Sequence, residues 1–250
     1  MIDLLYGRRP VYEALRAGRR RIYKLTLVKG VRHSDVLAEI VALAKAAGVP
    51  VGSSSRRELA QVSPNHQGVV AQASPYPYAE IDDILSPPRG DEPPLLLLLD
   101  LLQDPQNVGA LLRTAEAVGA HGVVIPKRRA VGVTPAVVSA SAGAVEHLHV
   151  ARVANLSRTI DELKQHDVWV AGLEAAPEAQ LFFEADLHGA LALVVGSEGS
   201  GLRRLVREKC DFLLRLPMRG RVASLNAAVA GSVALYEVER QRRTRAGGAD

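Results

Sequence analysis

Short, almost wholly apolar runs separated by amphipathic stretches constrain this chain more than any other feature. Residues 95–101, 123–125, 168–171, 191–195 and 212–216 are runs of this kind. Between and after them lie helix-like stretches. Val108, Leu111, Leu112, Ala115 and Val118 form a stripe closed by Gly119, Asn155 starts a stretch to about His166, and another runs from Asn226 to Arg240. Thr134-Pro135 has the cap-then-proline form of a further helix start. Buried strands alternating with helices predict an α/β fold, a mostly parallel sheet covered on both faces. Ligands of such sheets collect at the carboxyl ends of the strands. Two loops there are rich in glycine and small polar residues: Gly196-Ser197-Glu198-Gly199-Ser200-Gly201, and 217–226 with Ser224-Leu225-Asn226 at its end.

The first 75 residues read as a separate, smaller α/β unit. A helix is expected over 3–18, ended by Gly18; Tyr23, Leu25 and Leu27 alternate with polar neighbours as a strand does. Ser34 caps a second helix stopped by Gly48, and 49–51 and 69–73 read as short strands. Prolines crowd 74–78 and 86–94, where missing donors and fixed φ favour a semi-rigid connection. The expected organisation is 1–75, a linker over 76–94, and a second domain over 95–250. In that second domain 145–150 reads as a strand with His147 and His149 on one face. A third ligand is lacking, so no metal site is expected there.

With 48% apolar residues the chain can build ordinary cores, and its longest apolar run is far too short to span a bilayer. The opening residues place their charge after a brief apolar stretch, the reverse of a signal peptide, and the lone Cys210 reads as a packed, reduced thiol. A cytoplasmic, membrane-free protein is expected. Net charge is +4, yet residues 1–32 alone carry nine Lys or Arg against two acids, and Arg240, Arg242, Arg243 and Arg245 cluster near the other end. Such clustering suits a phosphate backbone, and equally a solvated basic surface.

The glycine loop spells G-x-x-G-x-G, which is neither the dinucleotide fingerprint nor a P-loop, and Glu198 would repel a phosphate. It fits the close approach of a flat, largely uncharged ligand such as an adenine nucleoside, or a plain tight turn. Asn107 and Arg113 lie in the stretch 104–114. Six residues apart on one helix they would face different ways, so joint action requires Asn107 to lie in the loop. Ser224-Leu225-Asn226 alone reads as helix capping.

Taken together, N-x5-R-T at Asn107, V-G-S-E-G-x-G at Gly196 and L-P-M-x5-S-L-N at Leu216 resemble the SpoU family of RNA ribose 2′-O-methyltransferases, in the SPOUT superfamily. Tyr6-Gly7 and His66-Gln67-Gly68-Val69 resemble that family's amino-terminal RNA-binding domain, so the likeness covers nearly the whole chain. It implies a carboxy-terminal α/β methyltransferase domain with a deep trefoil knot, which no periodicity would indicate, beside a ribosomal-protein-like α/β domain. It implies a homodimer, an RNA substrate, and S-adenosylmethionine (AdoMet) held by Gly196, Leu216 and Leu225. The implied catalytic set is Arg113, Asn107, Glu198, Ser224 and Asn226. Arg113, too basic to serve as a base, would hold the phosphate beside the target, with Glu198 orienting Arg113 or the cofactor loop. Arg8, Arg9, Arg19, Arg20, Arg21 and His66 would face RNA. The implied reaction is methylation of a guanosine 2′-hydroxyl in 23S ribosomal RNA. Transfer RNA, a ribosomal adenosine, or non-catalytic RNA binding are the alternatives. A nicotinamide-dependent oxidoreductase is disfavoured by the glycine spacing.

Overall fold

The computed structural model describes residues 2–30, 34–85, 92–199, 201–222 and 224–246, with Arg245 and Ala246 described by their backbone alone. Most of the proline-rich stretch (86–91), Ser200 of the glycine loop, and Arg32 lie outside the described residues, as does the Arg245 side chain. The chain divides into two compact units, 1–77 with 133–147, and 78–132 with 148–250.

The first unit begins with β1 (Asp3–Tyr6), α1 (Arg8–Ala17), β2 (Ile22–Val28), α2 (Asp35–Ala46), β3 (Val51–Ser54), α3 (Arg56–Val62) and β4 (Val69–Ala73). The single helix expected over 3–18 is instead a strand and a helix. Gly7 at φ 93° breaks the helical path, and the residues before it pair antiparallel with β4. The sheet order is β1-β4-β2-β3, antiparallel except for the β2–β3 pair. Ser34 caps α2 by accepting from Leu37 N, as its position in the sequence predicts. Ser55 and Glu58 form a capping box at α3.

The second unit opens with α4 (Ile81–Leu85), β5 (Leu95–Asp100), α5 (Pro105–Ala117) and β6 (Gly122–Pro126). The chain then gives α6 (Pro135–Ala140) and a 3₁₀ turn (Ala144–His147) to the first unit. It resumes with β7 (Val150–Val153), α7 (Leu156–Gln165), β8 (Trp169–Leu173), β9 (Gln180–Leu181), β10 (Leu191–Gly196), α8 (Arg204–Lys209), β11 (Phe212–Arg215) and α9 (Ala227–Ala246). The strand expected over 145–150 is displaced: Gly143 turns at φ 89°, the 3₁₀ turn follows, and only Val150 onward pairs with β6. All pairings in the seven-stranded sheet, β7-β6-β5-β10-β8-β11-β9, are parallel. Leu96, Leu98, Ala192 and Val194 bury one face against Leu156, Ile160 and Leu163 of α7. On α9, a Cβ at Gly231 would fall 2.5 Å from Leu111 Cδ2, so any side chain there would displace Leu111 from the close packing of α9 on α5.

Two positions of the expected linker are packed. Tyr76 is buried in the first unit, and Ile84 joins the core of the second. The first unit also buries charge. The Arg20 side chain, wholly inaccessible, donates from Nε to Glu146 Oε2 (3.0 Å) and from Nη1 to Asp3 Oδ2 (2.8 Å). Tyr76 lies under that guanidinium at 5.2 Å, donates its hydroxyl to Val145 O, and is pushed by burial to a pKa of about 12.

Candidate active site

The carboxyl ends of β5, β10, β8 and β11 adjoin, because β10 lies between β5 and β8 and β11 follows β8. Gly196 is in register with Asp100, the fully buried last residue of β5. Asp100 accepts from the Arg203 backbone N (2.8 Å) and Nε (2.7 Å). It thereby fastens the segment after the glycine loop to the end of the sheet. Ser197 and Gly201 exchange backbone hydrogen bonds across the loop. A Cβ at Gly196 would fall 2.4 Å from the Gly201 carbonyl carbon, so the fold-back requires glycine.

Three segments converge beside this loop. Asp104 caps α5, accepting from Gln106 N and Asn107 N, with Pro105 in the first turn. Asn107 therefore lies inside the helix, and its Nδ2 donates to Glu198 Oε1 at 2.8 Å. Asn226 Nδ2 donates to Asn107 Oδ1 (2.9 Å) and to Glu198 Oε1 (2.5 Å). Its own Oδ1 caps α9 by accepting from Ala228 N and Val229 N. Asn226 thus starts the helix and joins the cluster at once, which the motif alone left open. Glu198 orients the two asparagines, and among the described residues it makes no ion pair with Arg113. The condition for Asn107 and Arg113 to act together fails. Six residues apart in one helix, they diverge by roughly 120°, and Arg113 is exposed, outside the cluster.

A cavity of about 650 Å³ opens here, and Gly196, Glu198, Leu216, Ser224, Leu225 and Asn226 all line it. Six of the eight residues expected to bind cofactor or act in catalysis thus meet at one cavity. Sequence reasoning missed Glu174, which lines the same cavity just beyond β8. Its signal is its position at the carboxyl end of a buried strand, the rule that found the other loops. Asp100 was missed too, though a lone carboxylate ends its run of leucines. Cys210 donates to Val206 O, and burial pushes its thiol to about 12, so it is no nucleophile at neutral pH. Among the described residues no cluster of three or more His, Cys, Asp or Glu could hold a metal. No described helix is long and apolar enough to cross a membrane.

In the first unit, the six residues expected to face RNA separate into three groups. Arg20 is withdrawn from that role by its buried ion pairs. His66 is also buried, its Nδ1 accepting from Gly68 N at 2.9 Å, and burial lowers its pKa. Arg8 is tied to Gln67 O and Ser34 Oγ, and Arg19 donates to Glu146 O while lying over Tyr76. Arg9 and Arg21 remain exposed, over the rings of Tyr12 (6.0 Å) and Tyr23 (5.4 Å).

Known proteins share both units. The SpoU rRNA methylase family model matches residues 94–236, and a model for RNA 2′-O ribose methyltransferase substrate binding matches 4–79. YacO of Bacillus subtilis, named for the TrmH family of tRNA/rRNA methyltransferases, is 48% identical over 96% of both chains. The 23S rRNA (guanosine-2′-O-)-methyltransferase RlmB of Pseudomonas syringae is 42% identical over 98% of both chains. The crystal structure of the SpoU methyltransferase AviRb from Streptomyces viridochromogenes, in complex with AdoMet, superposes with a TM-score of 0.80. It is 26% identical and spans 97% of this chain and 91% of that one. With its glycine loop, asparagine pair and substrate-binding unit in place, the chain belongs to the SpoU rRNA methylase family of RNA methyltransferases.

Proposed function

We propose that this protein transfers a methyl group from AdoMet to the ribose 2′-hydroxyl of a guanosine in 23S ribosomal RNA, in the cytoplasm. The observation that carries the reading is the Asn107–Glu198–Asn226 cluster set against a cavity at the strand ends. The cavity suits AdoMet: Leu173, Leu214, Leu216, Leu225 and Met218 offer apolar walls, and the glycine loop offers backbone groups. The cofactor, when bound, supplies an electrophilic methyl group. The chain must then hold the 2′-oxygen in line, within about 3–3.5 Å of that group. Asn107 and Asn226 are fixed for this by Glu198, and Ser224 lines the same cavity. Gly196, Leu216 and Leu225 would contact the cofactor.

Arg113 keeps the role of holding the phosphate beside the target and stabilising developing negative charge. Since it does not meet Asn107 within its own chain, this reading has it serve the site of a second copy. An exposed apolar stripe on α9, Val229, Val233 and Tyr236, supplies a self-association face. The reading includes the trefoil knot, supported by β10 entering between two strands that precede it in the chain. A guanosine in 23S RNA is favoured over other targets by the 42% identity to RlmB across the whole length.

The test is a map of ribose methylation across ribosomal and transfer RNA with and without the gene. Loss at one 23S guanosine is expected; loss confined to transfer RNA would overturn the substrate. For the dimer, Arg113→Ala and Asn226→Ala are each expected to be inactive, and mixing them to restore part of the activity. Two inactive variants that stay inactive after subunit exchange would sink the shared site.

A further inference from the structure

Glu174 stands just past the carboxyl end of β8 and lines the cavity shared by Gly196, Leu216 and Leu225. Its side chain is 25% exposed, and its Oε1 lies 3.4 Å from Arg207 Nε, an ion pair without hydrogen-bond geometry. The other oxygen, Oε2, is buried and accepts no hydrogen bond from any described residue. Arg207 is engaged elsewhere, donating from Nη2 to Glu178. On its other side the carboxylate faces the glycine loop. A Cβ at Gly201 would lie 3.8 Å from Glu174 Cδ, ordinary contact distance, so Gly201 lies against the carboxylate. A buried acceptor without a donor is unfavourable and rare in folded proteins. On a residue that lines a cavity, it leaves the carboxylate with unused capacity for a ligand's donor.

We infer that Glu174 is a cofactor-recognising residue, its carboxylate, part-exposed on the cavity lining, accepting from a hydroxyl or ammonium donor of AdoMet. The inference rests on the AdoMet reading above and adds to it a charged contact outside the family motifs that point to the cavity. A carboxylate there also favours a cofactor that carries positive charge. Glu174 would therefore act on cofactor affinity, leaving the asparagine cluster to position the ribose.

Calorimetry of AdoMet binding to the wild-type chain, Glu174→Gln and Arg207→Ala, without RNA, tests this. A hydrogen bond between a charged group and the ligand predicts a loss of about tenfold or more in Glu174→Gln. Arg207→Ala should stay within about twofold of wild type, since its pairing with Glu174 is loose and half-exposed. In turnover, Glu174→Gln should raise the KM for AdoMet with kcat at saturation and RNA affinity unchanged. Wild-type affinity in Glu174→Gln would overturn the inference. So would an equal loss in Arg207→Ala, which would make Glu174 a brace for Arg207. A wild-type chain that bound no AdoMet would overturn the cofactor reading itself, a distinct result.

Discussion

The two units place their polar groups in opposite ways. The first, built on a mixed four-stranded sheet, carries Arg20 and Glu146 into its interior and closes them on one another. The second fills its parallel sheet with leucine, valine and alanine and keeps polar groups for the strand ends. There Glu174, Glu198 and Asn226 line a cavity, and the buried Asp100 ties down the loop beside it. A buried ion pair closed on itself holds shape. Amides and carboxylates at a cavity wall can meet a ligand. Damage to the first should therefore appear in folding, and damage to the second in chemistry.

The largest expected effect tests the first half of that contrast. Arg20→Met leaves Glu146 buried without its main partner and should destabilise the first unit by about 3–5 kcal/mol. Burial raises the Glu146 pKa and Arg20 holds it partly down, so losing Arg20 raises it further. A folded-state pKa above the unfolded value favours the fold at low pH, and that advantage is lost as pH rises through it. The deficit of Arg20→Met should then be greatest near pH 8 and shrink toward pH 5 in urea unfolding. Arg20→Met with Glu146→Leu should recover much of the stability, because the desolvation of both charges disappears together. A single variant as stable as wild type would end the claim that this pair holds the unit.

Next comes Asn226, which both caps α9 and joins the cluster with Asn107 and Glu198. Asn226→Ala removes the cap of α9 and two donated hydrogen bonds, so it should cost about 1 kcal/mol in stability and about 100-fold in methyl transfer. Asn226→Asp separates the roles. The carboxylate still caps the helix but cannot donate to Asn107 and sits against Glu198. Melting temperature should be nearly kept while activity falls as far as in the alanine variant. Activity that tracked stability in both variants would make Asn226 structural, like Arg20. Asp100→Ala should fall between the units in character. It strands the Arg203 backbone N–H and unfastens the loop, with a loss of about 2 kcal/mol and weaker cofactor binding.

How much of this was legible in the sequence follows the same division. The parallel sheet was readable because its strands are apolar runs, and the glycine loop because a fold-back needs residues without Cβ. The cavity residues Gly196, Glu198, Leu216, Ser224, Leu225 and Asn226 followed from those loops and the family motifs. What periodicity could not supply was long-range: Arg20 meeting Glu146 across 126 positions, or residues 133–147 packing with the first unit. A basic run looks the same whether its members are solvated or buried, which is why Arg20 read as an RNA contact. The strand at 3–6 was hidden because its partner, β4, lies more than sixty residues on.

His66 gives the smallest effect and the finest test, because it too read as an RNA contact. Its imidazole is buried with Nδ1 accepting from Gly68 N, which requires the neutral ring with its proton on Nε2. Burial depresses the pKa below the ordinary 6.5, with the charge of Arg56 adding to it. For a base, a depressed folded-state pKa favours the fold above the unfolded value, and that contribution is lost as pH falls through the folded one. His66→Asn keeps an acceptor near Gly68 N in an Asx-like turn and cannot titrate in this range. At pH 7.5 it should cost under about 1 kcal/mol; toward pH 5 the wild type should weaken and the variant should not, so the difference narrows or reverses. RNA affinity at pH 7.5 should be unchanged, whereas Arg21→Ala, which removes an exposed cation over Tyr23, should lower both that affinity and its salt slope. If His66→Asn weakened RNA binding with no change in its pH–stability profile, His66 would be an RNA contact after all. The rule that buried polar groups of the first unit only hold shape would then break at that residue.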